Sequence, residues 1–194
     1  MTEARLLNMC GIGLVNKDDE HAPQIIKAAN CELYTYSEES KEADFVASDI
    51  RYVSQPDFVG TEFHISGKYD MEVRLGIPGL FNVVNALAAV SVCSFLGLDQ
   101  ARISHALENI RVNGRMEIVY TSERCTVLVD YAHNAVSMES LLSTLRDYKP
   151  KRLVCVFGCG GNRSKDRRYS MGEIGGKMAD LSIITADNSR YEKV

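Results

Sequence analysis

Short apolar runs alternate with polar or glycine-containing breaks along the chain, and each run has the length of one strand or helix. Near the start, residues 9–15 and 33–36 have the apolar pattern of strands, and residues 22–29 between them have a helical pattern. Pro23 falls in the first turn of this helix, where proline is tolerated. This order predicts a βαβ unit of a parallel sheet.

The next segment has the period of strands and predicts antiparallel structure. Residues 45–48 and 50–53 predict two short strands. Residues 60–65 and 71–75 alternate apolar and polar positions on either side of the turn 67–70. Two alternating runs joined by a short glycine-containing turn predict a β-hairpin.

A long helix is predicted at residues 81–96, followed by a second helix at 100–110. The first helix is apolar nearly all round, so we expect it to be buried on all sides. Asn82 and Asn85 stand near its beginning and share one helix face, close to the positive end of the helix dipole. The alternative for Asn82 is a local role as a cap or turn residue.

The second half of the chain repeats strand and helix in alternation. Strands are predicted at 115–121, 125–130, 153–157 and 181–186, and helices at 137–148 and 170–180. This order predicts a Rossmann-like parallel sheet with right-handed crossovers. Polar residues follow three of the strands, at 130–134, 158–168 and 187–190. We expect these three strand ends to lie side by side and to form a site.

The strand at 153–157 ends in a glycine loop that is followed by a cluster of cations. The glycines are Gly158, Gly160 and Gly161, and the cations are Arg163, Lys165, Arg167 and Arg168. The glycines are expected to permit left-handed turns and close approach of a ligand to main-chain N–H groups, which favours an anion. The alternative is a solvated turn without a ligand. The loop matches neither a Walker A motif nor a dinucleotide-binding fingerprint.

Composition narrows the class of protein. The 194 residues are 45% hydrophobic and 25% charged, with a net charge of −4, which is typical of a soluble globular protein of one or two domains. Mild acidity disfavours a non-specific nucleic-acid binder, and no apolar run reaches the ~20 residues that span a bilayer. The six cysteines contain no CxxC pair, so we expect reduced, buried thiols in a cytoplasmic protein and no zinc site.

Five motifs, in order and in register, resemble the Mur ligases. They lie at residues 79–90 (GLFNVVNALAAV), 114–117 (GRME), 129–134 (VDYAHN), 156–163 (VFGCGGNR) and 187–190 (DNSR). The resemblance covers essentially the whole chain, including the KDD sequence at 17–19. Within the family, it is nearest to the branch that adds the third amino acid of the peptidoglycan precursor.

The resemblance implies a fold and an activity. Mur ligases are three-domain, ATP- and Mg²⁺-dependent enzymes that join an amino acid to a substrate carboxylate through an acyl phosphate. Residues 1–111 resemble the second half of the central ATPase domain, and residues 112–194 resemble the first half of the Rossmann-like C-terminal domain. The implied substrates are UDP-MurNAc-L-Ala-D-Glu and meso-diaminopimelate, and neither nucleic acid nor a membrane is an expected partner.

The resemblance also implies roles for two groups of residues. Asn82 and Asn85 match positions near adenine, Arg115 matches an arginine that reaches the ATP phosphates, and Asp130 matches an acid near the ribose, with His133 beside it. The implied amino-acid site consists of Arg163, Asp187, Asn188, Ser189 and Arg190. In the diaminopimelate-adding branch the last motif is Asp-Asn-Pro-Arg, and its arginine binds the distal carboxylate. Ser189 replaces the proline and leaves another third amino acid as an alternative, whereas Arg190 favours diaminopimelate over lysine.

Several parts of the family pattern have no match in this sequence. The P-loop, the magnesium-binding glutamate and the lysine that becomes carbamoylated are all missing, so no catalytic or metal-binding residue is assigned. We therefore expect an internal fragment that is inactive alone and could associate with the remaining ligase portion. Two alternatives stay open: a related ligase of the folylpolyglutamate or cyanophycin synthetase type, and a non-catalytic binding module.

Overall fold

A computed structural model describes residues 6–193 of the chain. The chain divides into two compact units. The first contains Met1–Asn113 and Ile118–Val127, and the second contains Gly114–Glu117 and Leu128–Val194. No helix in the part of the chain that the structure describes is long and apolar enough to cross a membrane.

The first unit is built on a five-stranded sheet. Its elements are β1 (Ile12–Asn16), α1 (Ala22–Ala28), β2 (Glu32–Ser37), β3 (Phe45–Ser54), β4 (Val59–Gly67), β5 (Met71–Leu75), α2 (Leu80–Phe95) and α3 (Gln100–Asn109). The strands lie in the order β1-β2-β3-β4-β5. The pairs β1–β2 and β2–β3 are parallel, and β3–β4 and β4–β5 are antiparallel. The predicted βαβ unit and hairpin are confirmed.

The two short strands predicted at 45–48 and 50–53 form one strand, β3. Its register with β4 shifts between Ser48 and Arg51. Asp49 lies within this irregularity and has a φ of 54°, in the left-handed region. A bulge of this kind interrupts the alternation of side chains without ending the strand. The sequence pattern therefore broke where the hydrogen-bonded strand continues.

The core of the first unit lies between the sheet and α2. Phe45 and Phe63 of the sheet and Val83 and Leu87 of α2 have no exposed surface. The prediction that α2 is buried on all sides is wrong, since Phe81 is 46% exposed. The helix packs on the sheet through one stripe of side chains, and an apolar composition does not reveal which stripe that is.

A hairpin of β6 (Glu117–Thr121) and β7 (Thr126–Val129) spans the division between the units. The rest of the second unit comprises α4 (Ala135–Asp147), β8 (Val154–Phe157), α5 (Lys165–Met178) and β9 (Leu181–Ile184). Strands β8 and β9 are parallel and pair in register. The core of this unit consists of Met138, Leu142, Leu153 and Met171.

The three strand ends predicted to lie side by side are not joined in one sheet. Among the described residues, β7 pairs with β6, and β8 pairs with β9. Strands that follow one another in sequence are adjacent in only about two thirds of cases. The order of strands along the chain therefore predicted the parallel pair β8–β9 correctly, but it wrongly placed β7 in one sheet with that pair.

The prediction of buried cysteines is wrong. The six thiols are free, Cys10 and Cys125 are exposed, and the other four are only partly buried. Cys125 lies in the turn of the β6–β7 hairpin, where the chain reverses at the surface. Partial burial of Cys155 on β8 raises the pKa of its thiol. The described residues contain no group of three or more His, Cys, Asp or Glu side chains placed to hold a metal ion.

Candidate functional site

A cleft of about 200 Å³ lies at the carboxyl ends of β8 and β9 in the second unit. The cleft is lined by Gly161 and Arg168, which follow β8, and by residues that follow β9: Asp187, Ser189 and Glu192. The carboxyl ends of parallel strands are the usual position of ligand sites in α/β sheets. The cleft therefore lies where the sequence placed two of its three polar strand ends.

The glycines of this loop permit close contact between two segments of the chain. A Cβ atom on Gly161 would lie 1.9 Å from the Ser189 carbonyl oxygen, and one on Gly158 would lie 2.6 Å from that of Thr185. At such distances the backbone would have to shift to admit a side chain at either position. The prediction of left-handed glycines is wrong, because here the left-handed conformation belongs to Asn162 (φ 53°) and Arg190 (φ 51°).

Main-chain hydrogen bonds tie the glycine loop to the segment that follows β9. Gly161 donates its N–H to the Asn188 carbonyl oxygen at 2.8 Å. Asn162 donates its N–H to Glu192 Oε1 at 2.8 Å, and its own Oδ1 accepts the Tyr191 N–H at 3.2 Å. Two of the N–H groups that were expected to bind an external anion are therefore occupied within the protein. A carboxylate of the same chain, Glu192, takes one of them.

The cluster of cations is only partly available to a ligand. Arg168 pairs with Glu192. The hydrogen bond from Arg168, with that from the Asn162 N–H, lowers the pKa of the Glu192 carboxyl. Glu192 is therefore ionised at neutral pH. The side chains of Arg163, Lys165 and Arg167 form no hydrogen bond or ion pair with other described residues. The charge of Lys165 also lowers the pKa of Glu192, so Arg163 and Arg167 remain the free cations of the predicted cluster.

Helix α5 starts earlier than its sequence pattern indicated, at residue 165 instead of 170. Its first turn is polar and therefore gave no hydrophobic period. Ser164 stands at the N-cap without a side-chain capping bond, and Asp166 in the first turn complements the helix dipole. The early start places Arg168 on the helix itself, where it reaches Glu192.

The predicted amino-acid residues occupy one short segment, but only some line the cleft. Asp187 and Ser189 line it directly, while Asn188 and Arg190 alternate with them along the chain. Asn188 Oδ1 accepts the Arg190 N–H at 3.2 Å, a local bond typical of turns that stabilise left-handed residues. Arg163 belongs to the facing loop and does not line the cleft.

A second cluster in the same unit contains three residues predicted to bind ATP. Asp130 accepts the Met116 N–H on Oδ2 at 2.9 Å and the Ala132 N–H on Oδ1 at 2.8 Å. The Arg115 guanidinium lies 5.0 Å from the centre of the Tyr131 ring, which lies 5.2 Å from the His133 ring. Asp130 thus holds the backbone beside Arg115, and its oxygens keep further lone pairs for a hydroxyl group.

The remaining two predicted ATP residues belong to the first unit. Asn82 Nδ2 donates to the Pro78 carbonyl oxygen at 2.7 Å, which is the local role considered as its alternative. Asn85 is exposed, and its side chain contacts Asn82 Oδ1 at 3.4 Å. The two amides share one face at the beginning of α2, as their spacing predicted.

Glu192 and its pairing with Arg168 were missed by sequence reasoning. The available signal was a single acid two residues after Arg190, in a chain that carries four cations at residues 163–168. Opposite charges of this kind indicate a pair only when the fold brings them together, and here 24 residues separate them.

The fold and the cleft define an α/β protein with a charged site at the ends of parallel strands. Residues 3–93 match the model of the Mur ligase middle domain, and residues 114–194 match that of the Mur ligase glutamate ligase domain. The chain therefore belongs to the Mur ligase family, and the predicted fold class is confirmed.

Two curated relatives resemble the chain over most of its length. The UDP-N-acetylmuramoyl-L-alanyl-D-glutamate–2,6-diaminopimelate ligase of Alkaliphilus oremlandii is 40% identical over 190 residues, which cover 95% of this chain and 38% of the relative. The UDP-N-acetylmuramoyl-L-alanyl-D-glutamate–2,6-diaminopimelate ligase 2 of Clostridium acetobutylicum is 38% identical, and the match covers 97% of this chain and 38% of the relative. The chain thus spans about two fifths of the length of these relatives.

A solved structure agrees with this comparison. The structure of a UDP-N-acetylmuramoyl-L-alanyl-D-glutamate–2,6-diaminopimelate ligase superposes with a TM-score of 0.74 at 30% identity. The match covers 98% of this chain and 40% of that structure. The similarity therefore extends through both units of the chain.

Proposed function

We propose that this chain is part of an ATP-dependent amide ligase of peptidoglycan precursor synthesis. The ligase would add meso-diaminopimelate to UDP-MurNAc-L-Ala-D-Glu through an acyl phosphate. The observation that carries this proposal is the 40% identity, over 95% of the chain, to a 2,6-diaminopimelate ligase. We also propose residues 1–111 as the second half of the middle domain and residues 112–194 as the first half of the C-terminal domain.

The second unit would bind the amino acid. Meso-diaminopimelate carries an ammonium and a carboxylate at each end, so its site needs both cations and an acid. Arg163 and Arg190 are exposed and have no ion-pair partner among the described residues, which suits them to carboxylates. Asp187 lines the cleft and would attract an ammonium group. These charges support binding and orientation of the incoming amine.

Four of the five residues proposed to bind ATP suit its adenosine, and Arg115 alone suits its phosphates. Arg115, Asp130 and His133 form one cluster, and Asn82 and Asn85 offer amides for a base. The sequence contains no G-x-x-x-x-G-K-[ST] loop. The described residues contain no group of three metal-ligating side chains, and we assign no Mg²⁺ ligand to them. We assign no phosphoryl-transfer step to this chain.

Because the chain has residues for both ligands but no phosphate loop, we expect it to bind each ligand weakly and to show no turnover alone. The cleft is open to solvent, and an exposed arginine–carboxylate pair contributes about 0.5–1 kcal/mol. We expect meso-diaminopimelate to bind with a Kd no tighter than about millimolar, near −4 kcal/mol. ATP should bind no more tightly, since the phosphate loop supplies much of the nucleotide affinity.

NMR titration of the ¹⁵N-labelled chain with each ligand tests the proposal. Meso-diaminopimelate should shift amides of residues 158–168 and 187–192, and Arg190→Ala should abolish these shifts. Arg124→Ala is the matched control, because Arg124 is an exposed arginine in the β6–β7 turn. Diaminopimelate shifts that persist in Arg190→Ala would show that the pocket lies elsewhere. Micromolar ATP affinity with phosphate release would show that the nucleotide site is misplaced.

A further inference from the structure

The Glu192 carboxylate joins three segments around the cleft. One oxygen accepts the Asn162 N–H from the glycine loop, and the other pairs with Arg168 on α5. Glu192 itself lies on the segment that follows β9.

This carboxylate lies close in sequence to both proposed carboxylate-binding arginines. Asn162 immediately precedes Arg163, and Arg190 is two residues before Glu192. Asn162 and Arg190 both adopt left-handed φ angles, which non-glycine residues maintain only when their surroundings hold them. The bonds to Glu192 and from Tyr191 supply that constraint on Asn162.

Arg168 depends on the same carboxylate. Its Nε is buried and has no hydrogen-bond partner among the described residues, whereas its Nη2 pairs with Glu192. Removing Glu192 would leave a half-buried guanidinium without its ion-pair partner in the described structure. Arg168 therefore acts in the cleft by holding Glu192, which distinguishes it from the unpaired cations Arg163 and Arg167.

We propose that Glu192, held by Arg168, is a positioning residue that sets the separation of Arg163 and Arg190 on the two segments beside the cleft. The inference rests on the proposed function, because it assigns these two arginines to the two ends of a dicarboxylic amino acid. Correct separation favours a ligand with two carboxylates over one with a single carboxylate. Glu192 thus determines selectivity for diaminopimelate against lysine through the positions of these two arginines.

Three variants of the full 194-residue chain separate this role from simple stabilisation. Glu192→Ala removes both contacts, and Glu192→Gln keeps an acceptor for the Asn162 N–H but loses the charge that pairs with Arg168. Glu173→Gln is the control, because Glu173 forms an exposed ion pair with Lys177 on α5 of the same unit. Each variant is titrated by NMR with meso-diaminopimelate and with L-lysine.

We expect Glu192→Ala to weaken diaminopimelate binding by about two- to fivefold, the range of an exposed ion pair, while lysine binding stays constant. Glu192→Gln should restore part of the loss, and Glu173→Gln should match the wild type. Equal weakening of both ligands, or none, would overturn the positioning role while leaving the proposed function intact. Absence of diaminopimelate shifts at residues 158–168 and 187–192 of the wild-type chain would overturn the proposed amino-acid site, and the positioning role with it.

Discussion

The sheet of the first unit and the β8–β9 sheet of the second unit bury their strands to very different extents. In the first, Phe45 and Phe63 have no exposed surface because α2 covers them. In the second, Val156 is 63% exposed and its register partner Ile183 is 45% exposed. The core of the second unit lies on the other side of these strands, against α4 and α5.

This difference indicates that order arises by different means in the two units. The first unit is held by a contiguous apolar core, which the hydrophobic effect stabilises without directional bonds. In the second unit, the cleft is held by polar contacts between loops, chiefly those of Gly161, Asn162, Arg168 and Glu192. Substitutions in the core of the first unit should therefore lower its unfolding free energy, whereas substitutions at the cleft should disturb the contacts between its loops.

The largest expected effect is that of removing a core ring from the first unit. Phe63→Ala leaves a cavity where a fully buried side chain stood, and should cost about 3–5 kcal/mol of unfolding free energy. Val156→Ala, a smaller truncation on the exposed face, should cost less than about 0.5 kcal/mol. Urea denaturation of each variant measures both values. Similar losses for the two would contradict the contrast between the sheets.

A smaller but sharper effect is expected at the glycine loop. The Cβ of Gly161→Ala would lie 1.9 Å from the Ser189 carbonyl oxygen, so the two segments must separate. A misfit of this size costs about 1–3 kcal/mol. The neighbouring Gly160→Ala is the control, because its Cβ would lie 3.8 Å from the nearest atom. Thermal unfolding and amide shifts of residues 187–192 should change only in Gly161→Ala, and equal tolerance would disprove the close contact.

Acid should affect the second unit through its paired carboxyl groups. The hydrogen bond from Arg146 lowers the pKa of Asp180, and that from Arg168 lowers the pKa of Glu192. A carboxyl whose pKa is lowered by folding stabilises the native state above its unfolded pKa, and this stability is lost as the pH falls through the folded pKa. The loss should begin below about pH 5 and grow below about pH 4.

Burial shifts an acid of the first unit in the opposite direction. It raises the pKa of Glu38, with Asp18 adding to the shift, so protonation of this group is easier in the folded state. The contribution of Glu38 to the stability of the folded state therefore increases as the pH falls. Amide exchange followed from pH 7 to pH 3 should show the second unit opening first, and Asp180→Asn should reduce its pH dependence. Earlier opening of the first unit would contradict this prediction.

The smallest effect on stability is expected on the exposed face of β8 and β9. Replacing Val156 and Ile183 by threonine should change the unfolding free energy by less than about 0.5 kcal/mol each, because both residues already contact solvent. An exposed apolar sheet face promotes association, so the double variant should aggregate less. Light scattering at increasing protein concentration measures this. A large loss of stability would show that the face is covered.

The sequence pattern predicted the elements well where local rules decide them. The βαβ unit, the β4–β5 hairpin and the parallel pair β8–β9 follow from hydrophobic period and turn residues. The pattern was misleading at α2 and at the cysteines, because composition indicates that a residue suits burial but not whether another element covers it. At β3 the pattern predicted two strands, whereas the structure has one strand with a bulge between Ser48 and Arg51.

The candidate site was predicted only in part. The cation cluster and the Asp187–Arg190 segment were recognised from residue types and motif spacing, and two of these four segment residues line the cleft. The functions assigned to Asn82, Asn85, Arg115, Asp130 and His133 remain predictions. Glu192 was missed because its partners, Asn162 and Arg168, lie 30 and 24 residues away in sequence.

The sequence by itself determined the family, the order of strands and helices, and the position of polar residues at strand ends. These properties depend on neighbouring residues, since period, turn chemistry and motif spacing are local. Only the tertiary structure decided why Gly161 must be glycine, which N–H groups are free and which cation is paired. Each of these depends on a segment that returns to the loop after an intervening helix and strand, and no local pattern specifies that contact.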